Sequence, residues 1–224
     1  MTTKRKSIKK NEKHLLVNIE STTKTSNIEI EDTEGYIKEQ LYFDDFFDDK
    51  KFNKFLKKVE STVRRSDAYT SFINACFTKG LDHCAILGNV ESSKEVTIEM
   101  HHYPFTLYDI AYLCTLKHIK NKDKFTSIDI ANEILYDHIY NKIICVVPLC
   151  KTVHQLAHLG KIFIPLTSIT GDINGFLDKY KDELTPDMKE SYNKLLEMTE
   201  SGTPYSDEDI LKTVKEYESE HRKK

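Results

Sequence analysis

Two pairs of histidines, His101-His102 and His154/His158, constrain the fold of this chain more than any other feature. The first pair ends a run in which apolar and polar residues alternate, which is the pattern of a half-buried strand. The second pair is spaced i, i+4, so a short helix would carry both rings on one face. An apolar run at 143–149 lies between the two pairs and predicts a return strand. The sequence therefore predicts two strands followed by a helix, with histidines on both.

The predicted pairing of the two strands brings three of these histidines together. Neutral imidazoles of His101, His154 and His158 could hold a divalent metal and leave coordination positions open for water or phosphate. His102 would point to the other side of its strand, because side chains alternate along a strand. We expect it to act as a general base, since an imidazole pKa near ~6.5 suits proton abstraction at neutral pH. Glu99 shares the face of His101 and is either an orienting hydrogen-bond partner of a ligand imidazole or an exposed carboxylate.

Helical periodicity dominates the rest of the chain, so the predicted class is α+β and mostly helical. Helices are predicted at about 52–63, 66–79, 106–119, 126–139, 150–159, 173–184, 187–198 and 207–220. Three parts are expected: an N-terminal tail and weakly patterned segment (1–50), a core (51–165) with a helical insertion (105–141), and a C-terminal helical extension (166–224). The sequence leaves the role of the extension open between structural support and DNA contact.

Composition limits the functions that this chain can have. The 224 residues are 39% hydrophobic, enough for one substantial core, and the net charge of -3 gives no overall basic footprint. A nucleic-acid site would therefore be a local patch. The five cysteines show no close pairing, which is typical of reduced, buried thiols. Neither a membrane-spanning stretch nor a secretory signal is apparent, so we expect a cytoplasmic protein. The Lys-rich residues 1–13 are interpreted as a solvated tail rather than a phosphate-binding arm.

Two segments resemble a known family. They are Glu99-Met100-His101-His102-Tyr103-Pro104 and residues 147–161, with similar lead-ins at 64–69 and 84–88. Over about residues 64–161 the chain resembles phage-type HNH endonucleases, which have the ββα-metal fold, a β-hairpin plus a helix holding the metal. The second histidine pair, followed by Gly-Lys, is also similar to that of the colicin DNases.

The resemblance implies an endonuclease that hydrolyses DNA phosphodiester bonds. It makes His101, His154 and His158 the metal ligands, with Mg²⁺ first and Mn²⁺ or Zn²⁺ as alternatives. It makes His102 the base that activates water. The composition is rich in Lys, Asn, Ile and Tyr, which is compatible with an AT-rich genome. Together with the resemblance, it predicts a phage or mobile-element origin. A phage-encoded protein of this kind is expected in the cytoplasm of the host cell.

The chain departs from that family at a structural zinc site and at an asparagine. Two Cys-x-x-Cys pairs often flank the HNH motif, but here only Cys84 and Cys150 remain, and Leu87 and Val153 replace the second cysteines. Two thiolates do not complete a tetrahedral zinc site, so a hydrophobic contact is expected instead. The asparagine that ties the hairpin together is displaced. Asn141 is the nearest candidate for it, and His138 or Asp137 could substitute.

Other functions remain open beside the nuclease. Four cations could clamp DNA phosphates, against the simpler interpretation of solvated charge: Arg64, Arg65, Lys151 and Lys161. The main alternative is a catalytically silent HNH-like module that binds nucleic acid or a protein partner during assembly. The negative net charge, the lost cysteine pairs and the displaced asparagine favour it. A zinc hydrolase with another substrate is disfavoured, because Gln155 rather than a glutamate follows His154. His118, His138 and His14 stand at no recognisable spacing and are expected to be structural.

Overall fold

The computed structural model describes residues 48–202 and 205–221. The expectations for the tail and for the segment up to residue 47 lie outside the described residues. Within these ranges the elements are α1 (Asp49–Arg65), α2 (Asp67–Thr78), β1 (Ile98–His102), α3 (Leu107–Asn121), α4 (Ser127–Tyr136), β2 (Val146–Cys150), α5 (Lys151–His158), α6 (Ile173–Tyr180), α7 (Pro186–Glu200) and α8 (Asp207–His221). A π-helical turn (Asp137–Asn141) follows α4, and a 3₁₀ turn (Leu166–Ser168) precedes α6. The predicted α+β class, mostly helical, is confirmed.

The chain divides into two compact units. The first contains described residues 48–70 and 107–141, and the second contains residues 71–106 together with the described residues from 142 onward. The first unit thus contains residues 107–141 of the predicted insertion, and the second unit contains residues 105–106 and the described part of the predicted C-terminal extension.

In the first unit, α1, α3 and α4 pack on one another through the apolar faces that the sequence pattern predicts. Phe55 of α1 meets Phe125 edge to face, with ring centroids 5.9 Å apart. Side chains also set the helix starts. Asp48 accepts the backbone N–H of Lys50 at 3.0 Å, and Thr126 forms a reciprocal capping box with Asp129. Local sequence thus accounts for where α1 and α4 begin.

In the second unit, β1 and β2 form an antiparallel pair in which Ile98 faces Cys150 and His102 faces Val146. β1 begins three residues later than the alternation predicts. The reason is a turn in which the Ser93 hydroxyl accepts the backbone N–H groups of Glu95 and Val96. β2 begins at Val146 rather than at 143, and all five of its residues are buried.

One apolar cluster joins the hairpin to the helix that follows it. Buried residues from β1, β2, α5 and α8 belong to it, among them Ile98, Leu149, Leu156 and Val214. α5 starts directly after β2, and it packs against both strands and against α8. The short helix α5 therefore draws its stability from tertiary packing, since eight residues are too few to be helical alone in water.

Candidate metal centre

Three imidazoles meet where β1 lies beside α5. His101 is the fourth residue of β1, and His154 and His158 come from one face of α5. Nδ1 of His101 lies 2.9 Å from Nε2 of His154, and Nε2 of His158 lies 3.0 Å from the same atom. The spacing predicted this meeting, because i, i+4 residues share a helix face and the return strand places α5 beside β1.

Glu99 fixes the tautomer of the central histidine. Its Oε2 lies 2.5 Å from Nδ1 of His154, and the two side chains are 39% and 22% exposed. A carboxylate only accepts hydrogen bonds, so the proton of a neutral His154 ring belongs on Nδ1. Nε2 then carries a lone pair directed at the other two rings. A carboxylate, a histidine and a metal commonly stand in this order in metalloproteins.

The distances among the three rings fit a shared ion better than mutual hydrogen bonding. Nε2 of His154 has one lone pair, yet nitrogens of both His101 and His158 lie within 3.0 Å of it. Two nitrogens bound to one metal at about 2.0–2.1 Å are separated by about 2.8–3.4 Å, depending on the angle between the two bonds. Both observed separations fall within that range. His158 is exposed, so the cluster opens toward solvent.

His102 lies on the opposite side of β1. Burial alternates along this strand, so Glu99 and His101 are partly exposed while Met100 and His102 are buried. The predicted opposition of His101 and His102 is therefore confirmed. His102 is only 4% exposed, and its role as a base stays a prediction.

The remaining predicted site residues lie in both units. In the first unit, Asn141 donates from Nδ2 to Oδ1 of Asp137 at 2.8 Å, and Arg65 donates to the Ser61 hydroxyl at 2.7 Å. Arg64, also in this unit, lies 3.9 Å from the Glu60 carboxylate. In the second unit, Lys151 is the first residue of α5 and Lys161 follows that helix, and both are exposed. Their contacts with phosphate, and the support that Asn141 would give to the hairpin, stay predictions.

Backbone contacts, which residue spacing does not reveal, hold the end of the hairpin. The Tyr103 N–H donates to the Cys145 carbonyl at 3.2 Å, and its hydroxyl donates to the Ile164 carbonyl at 2.9 Å. Val146 and Thr170 exchange backbone hydrogen bonds of 3.0 and 2.8 Å. These bonds tie β1 and β2 to the chain that follows α5.

The C-terminal helix α8 also packs against α5. Val214 is buried in the shared apolar cluster, and the Tyr217 hydroxyl donates to Oε1 of Gln155 at 3.1 Å. Gln155 is the neighbour of His154, so this contact supports the helix that carries two of the three imidazoles. The helical spacing of Ile210, Val214 and Tyr217 indicates the apolar face of α8, but it does not indicate which element that face packs against.

The first unit contains a second histidine cluster, which residue spacing did not predict. Nδ1 of His118 lies 2.8 Å from Oδ2 of Asp123, and Nε2 lies 2.6 Å from Oε2 of Glu133. Burial works against a charged ring, but hydrogen bonds and charges from Glu133 and Asp123 outweigh it and raise the pKa of His118. Cys114 lies close enough to complete a potential ligand trio with His118 and Glu133. Since carboxylates engage both ring nitrogens, this cluster is best described as an ion pair that joins α3 to α4.

The family comparison gives the chain a class. A family model described as Bacteriophage G278-like virion protein matches residues 1–223, so the chain belongs to that family. The predicted phage origin is therefore confirmed. No curated protein and no solved structure matches the chain.

The family also bears on location and partners. A virion protein belongs to the phage particle, where it assembles with other proteins. The expected location in the cytoplasm of the host cell stays a prediction. No helix among the described residues has the length and apolar composition to cross a bilayer. The family description names no nuclease, so activity and DNA binding are matters for proposal.

Proposed function

We propose that this virion protein is a metal-dependent endonuclease that hydrolyses DNA phosphodiester bonds. The observation that carries the proposal is the convergence of His101, His154 and His158 on one point, with Glu99 fixing the central tautomer. The order β1, β2, α5 and the origin of the ligands on one strand and one helix resemble the ββα-metal fold of HNH enzymes. That resemblance supplies the substrate class.

Each residue has a defined task in this mechanism. A divalent ion held by the three imidazoles would supply Lewis-acid stabilisation of the phosphate and of the departing 3′ oxygen. His158 is exposed, so a DNA phosphate can approach the cluster from its side. His102 takes the proton from the attacking water, and Glu99 keeps His154 in its metal-binding tautomer.

The donor set bears on the identity of the metal. Three imidazole nitrogens suit borderline transition ions such as Zn²⁺ and Ni²⁺, whereas Mg²⁺ prefers oxygen ligands and water. We therefore propose that Zn²⁺ and Ni²⁺ bind more tightly than Mn²⁺, and Mn²⁺ more tightly than Mg²⁺. This order revises the expectation of Mg²⁺ as the first choice for binding, while Mg²⁺ or Mn²⁺ can still support turnover at millimolar concentration.

The test is cleavage of supercoiled plasmid by the purified protein with Mg²⁺, Mn²⁺, Zn²⁺ or EDTA. We expect metal-dependent nicking that EDTA abolishes and that His102→Ala lowers at least 100-fold. The matched control is His83→Ala, because His83 is also in the second unit but stands apart from the three-imidazole cluster. His102→Ala protein that cleaves as well as the unsubstituted protein would show that the base is assigned wrongly.

A second candidate function is a catalytically silent module that assembles the virion. Membership of a virion protein family and the burial of His102 favour it. In that case the folded protein cleaves no DNA with any metal, and a His158→Ala variant still assembles into particles. Calorimetry without divalent-metal binding would favour this alternative and count against the nuclease.

A further inference from the structure

The first unit contains a cluster of metal-ligating side chains that the proposed nuclease reaction does not use. Cys114 and His118 stand four residues apart on α3, so their side chains share one face of that helix. Glu133 comes from α4, which packs against α3. The thiol sulfur, an imidazole nitrogen and a carboxylate oxygen of these residues all lie within 4.8 Å of one another. Two helices thus bring three types of ligand to one point.

The imidazole of His118 is held in place by its neighbours. Oδ2 of Asp123 lies 2.8 Å from Nδ1, and Oε2 of Glu133 lies 2.6 Å from Nε2. The buried ring of Phe125 lies beside the imidazole, with the two centroids 5.7 Å apart. Nε2 therefore faces the Glu133 carboxylate, and Asp123 takes the place that a carboxylate commonly has behind a metal-bound histidine.

Two carboxylates around one imidazole require a positive charge between them. A carboxylate only accepts hydrogen bonds, and a neutral imidazole has a single N–H, so a neutral His118 satisfies only one of the two. A second proton on the ring satisfies both, which gives the ion pair that joins α3 to α4. A metal ion on Nε2 satisfies both as well, because it binds the nitrogen and the Glu133 oxygen while the N–H at Nδ1 keeps its bond to Asp123.

We propose that Cys114, His118 and Glu133 form a zinc site that links α3 to α4 and is separate from the three-imidazole cluster. Zn²⁺ binds thiolate, imidazole and carboxylate ligands and favours four positions, so one water completes the set. The thiolate selects against Mg²⁺ and Ca²⁺, which prefer oxygen ligands. Asp123 holds the imidazole with Nε2 toward the ion.

Binding of the ion requires two small changes in the ion-paired cluster. The Cys114 thiol and Nε2 of His118 each release a proton to solvent, because zinc binds a thiolate and a nitrogen lone pair. Nε2 of His118 and Oε2 of Glu133 separate from 2.6 Å to the spacing of about 2.8–3.4 Å that two ligands of one ion require. The Glu133 side chain is 17% exposed, so it can make this shift, and the ion can reach the buried Cys114 thiol from its side.

Titration of the full-length protein with Co²⁺ tests this site. Cobalt takes the place of zinc, and a thiolate ligand gives it a charge-transfer band in the near ultraviolet. The protein is first freed of metal with EDTA, then of EDTA, and kept reduced. We expect a saturable band that an excess of Zn²⁺ removes. The three-imidazole cluster has no thiolate, so failure of the zinc site and failure of the proposed nuclease are distinguishable. Absence of the band from the folded, unsubstituted protein would overturn the proposal.

Four variants assign the ligands. Cys114→Ser should lose the band, and Glu133→Gln, which keeps the thiolate, should weaken cobalt binding by at least about 10-fold. Two controls should keep the band with unchanged affinity: Cys84→Ala removes another buried thiol, and His158→Ala removes a ligand of the three-imidazole cluster. A band that Cys114→Ser retains, a band that Cys84→Ala loses, or unchanged affinity in Glu133→Gln would each contradict the assignment. Glu133→Gln changes a partly exposed side chain, so it decides the matter even if Cys114→Ser fails to fold.

Discussion

Replacement of Glu99 by glutamine tests the metal centre most directly. In the native site the carboxylate accepts the proton on Nδ1 of His154 and leaves Nε2 free to bind a metal. A glutamine at position 99 has nearly the same shape but no charge, and its NH₂ group can donate to Nδ1. Donation to Nδ1 would favour the other tautomer, in which the proton occupies Nε2 and blocks it as a ligand.

The expected loss follows from the type of contact and its exposure. Removing a hydrogen-bond partner of a ligand imidazole typically costs about 10–100-fold in metal affinity, which is about 1.4–2.7 kcal/mol. The Glu99 side chain is 39% exposed, so water competes for His154, and we expect the lower part of that range, about 10–30-fold. Calorimetric titration with Zn²⁺ or Ni²⁺ at pH 7.5 measures the dissociation constant directly.

The matched control for this measurement is Glu95→Gln. Glu95 is an exposed carboxylate in the turn before β1, so its replacement makes the same change of charge away from His154. We expect it to bind metal within about twofold of the unsubstituted protein. Equal affinities for Glu99→Gln and Glu95→Gln, with metal still binding, would refute the argument that Glu99 sets the tautomer.

Three other predictions concern stability. The two carboxylates beside His118 raise its pKa, so the charged ring stabilises the folded state at low pH. His118→Gln should lower the free energy of unfolding by about 1 kcal/mol below pH 6, and by progressively less as pH rises through the pKa of the folded state. Urea unfolding at several pH values measures this difference. Burial lowers the pKa of His138 to about 3, so unfolding should become easier as pH falls from about 6.5 toward 3, and His138→Phe should flatten that dependence. Gly171→Ala would put a Cβ 2.9 Å from Cys145 at a φ of +134°, so it should cost more than about 2 kcal/mol. Gly88 is the control, because its φ is +61° but a Cβ there would meet nothing within 4 Å, so Gly88→Ala should lower the free energy of unfolding by about 1 kcal/mol. Equal melting temperatures for the two variants would show that the close approach of Cys145 carries no cost.

Local periodicity was enough to predict most elements and the meeting of three imidazoles. The i, i+4 spacing of His154 and His158 and the alternation around His101 are properties of single elements. The one long-range step, the pairing of β1 with β2, was indicated by the short apolar run that precedes α5. The meeting of the three imidazoles was therefore predictable from local patterns and this one strand pairing.

Contacts between distant segments could not be predicted in the same way. The partners of His118 come from a loop and from a separate helix, and no spacing rule joins them. The packing of α8 on α5 depends on how the chain returns after α7, which helical periodicity leaves undetermined. Membership of a virion family is a further fact that no side chain near the three imidazoles indicates.

The lost cysteine pairs and the displaced asparagine, which favour a silent module, concern residues around the site rather than the three imidazoles themselves. The resemblance assigns support to a zinc knuckle and to an asparagine, and both are changed in this chain. The structure has other contacts around the two strands and α5: the bond from Tyr103 to Cys145, the bridge between Val146 and Thr170, and the packing of Val214 in the shared apolar cluster. With these contacts in place, the nitrogens of His101 and His158 lie 2.9 and 3.0 Å from Nε2 of His154. The absence of the second cysteines is thus weak evidence against metal binding, and the titration of Glu99→Gln addresses the ligands themselves.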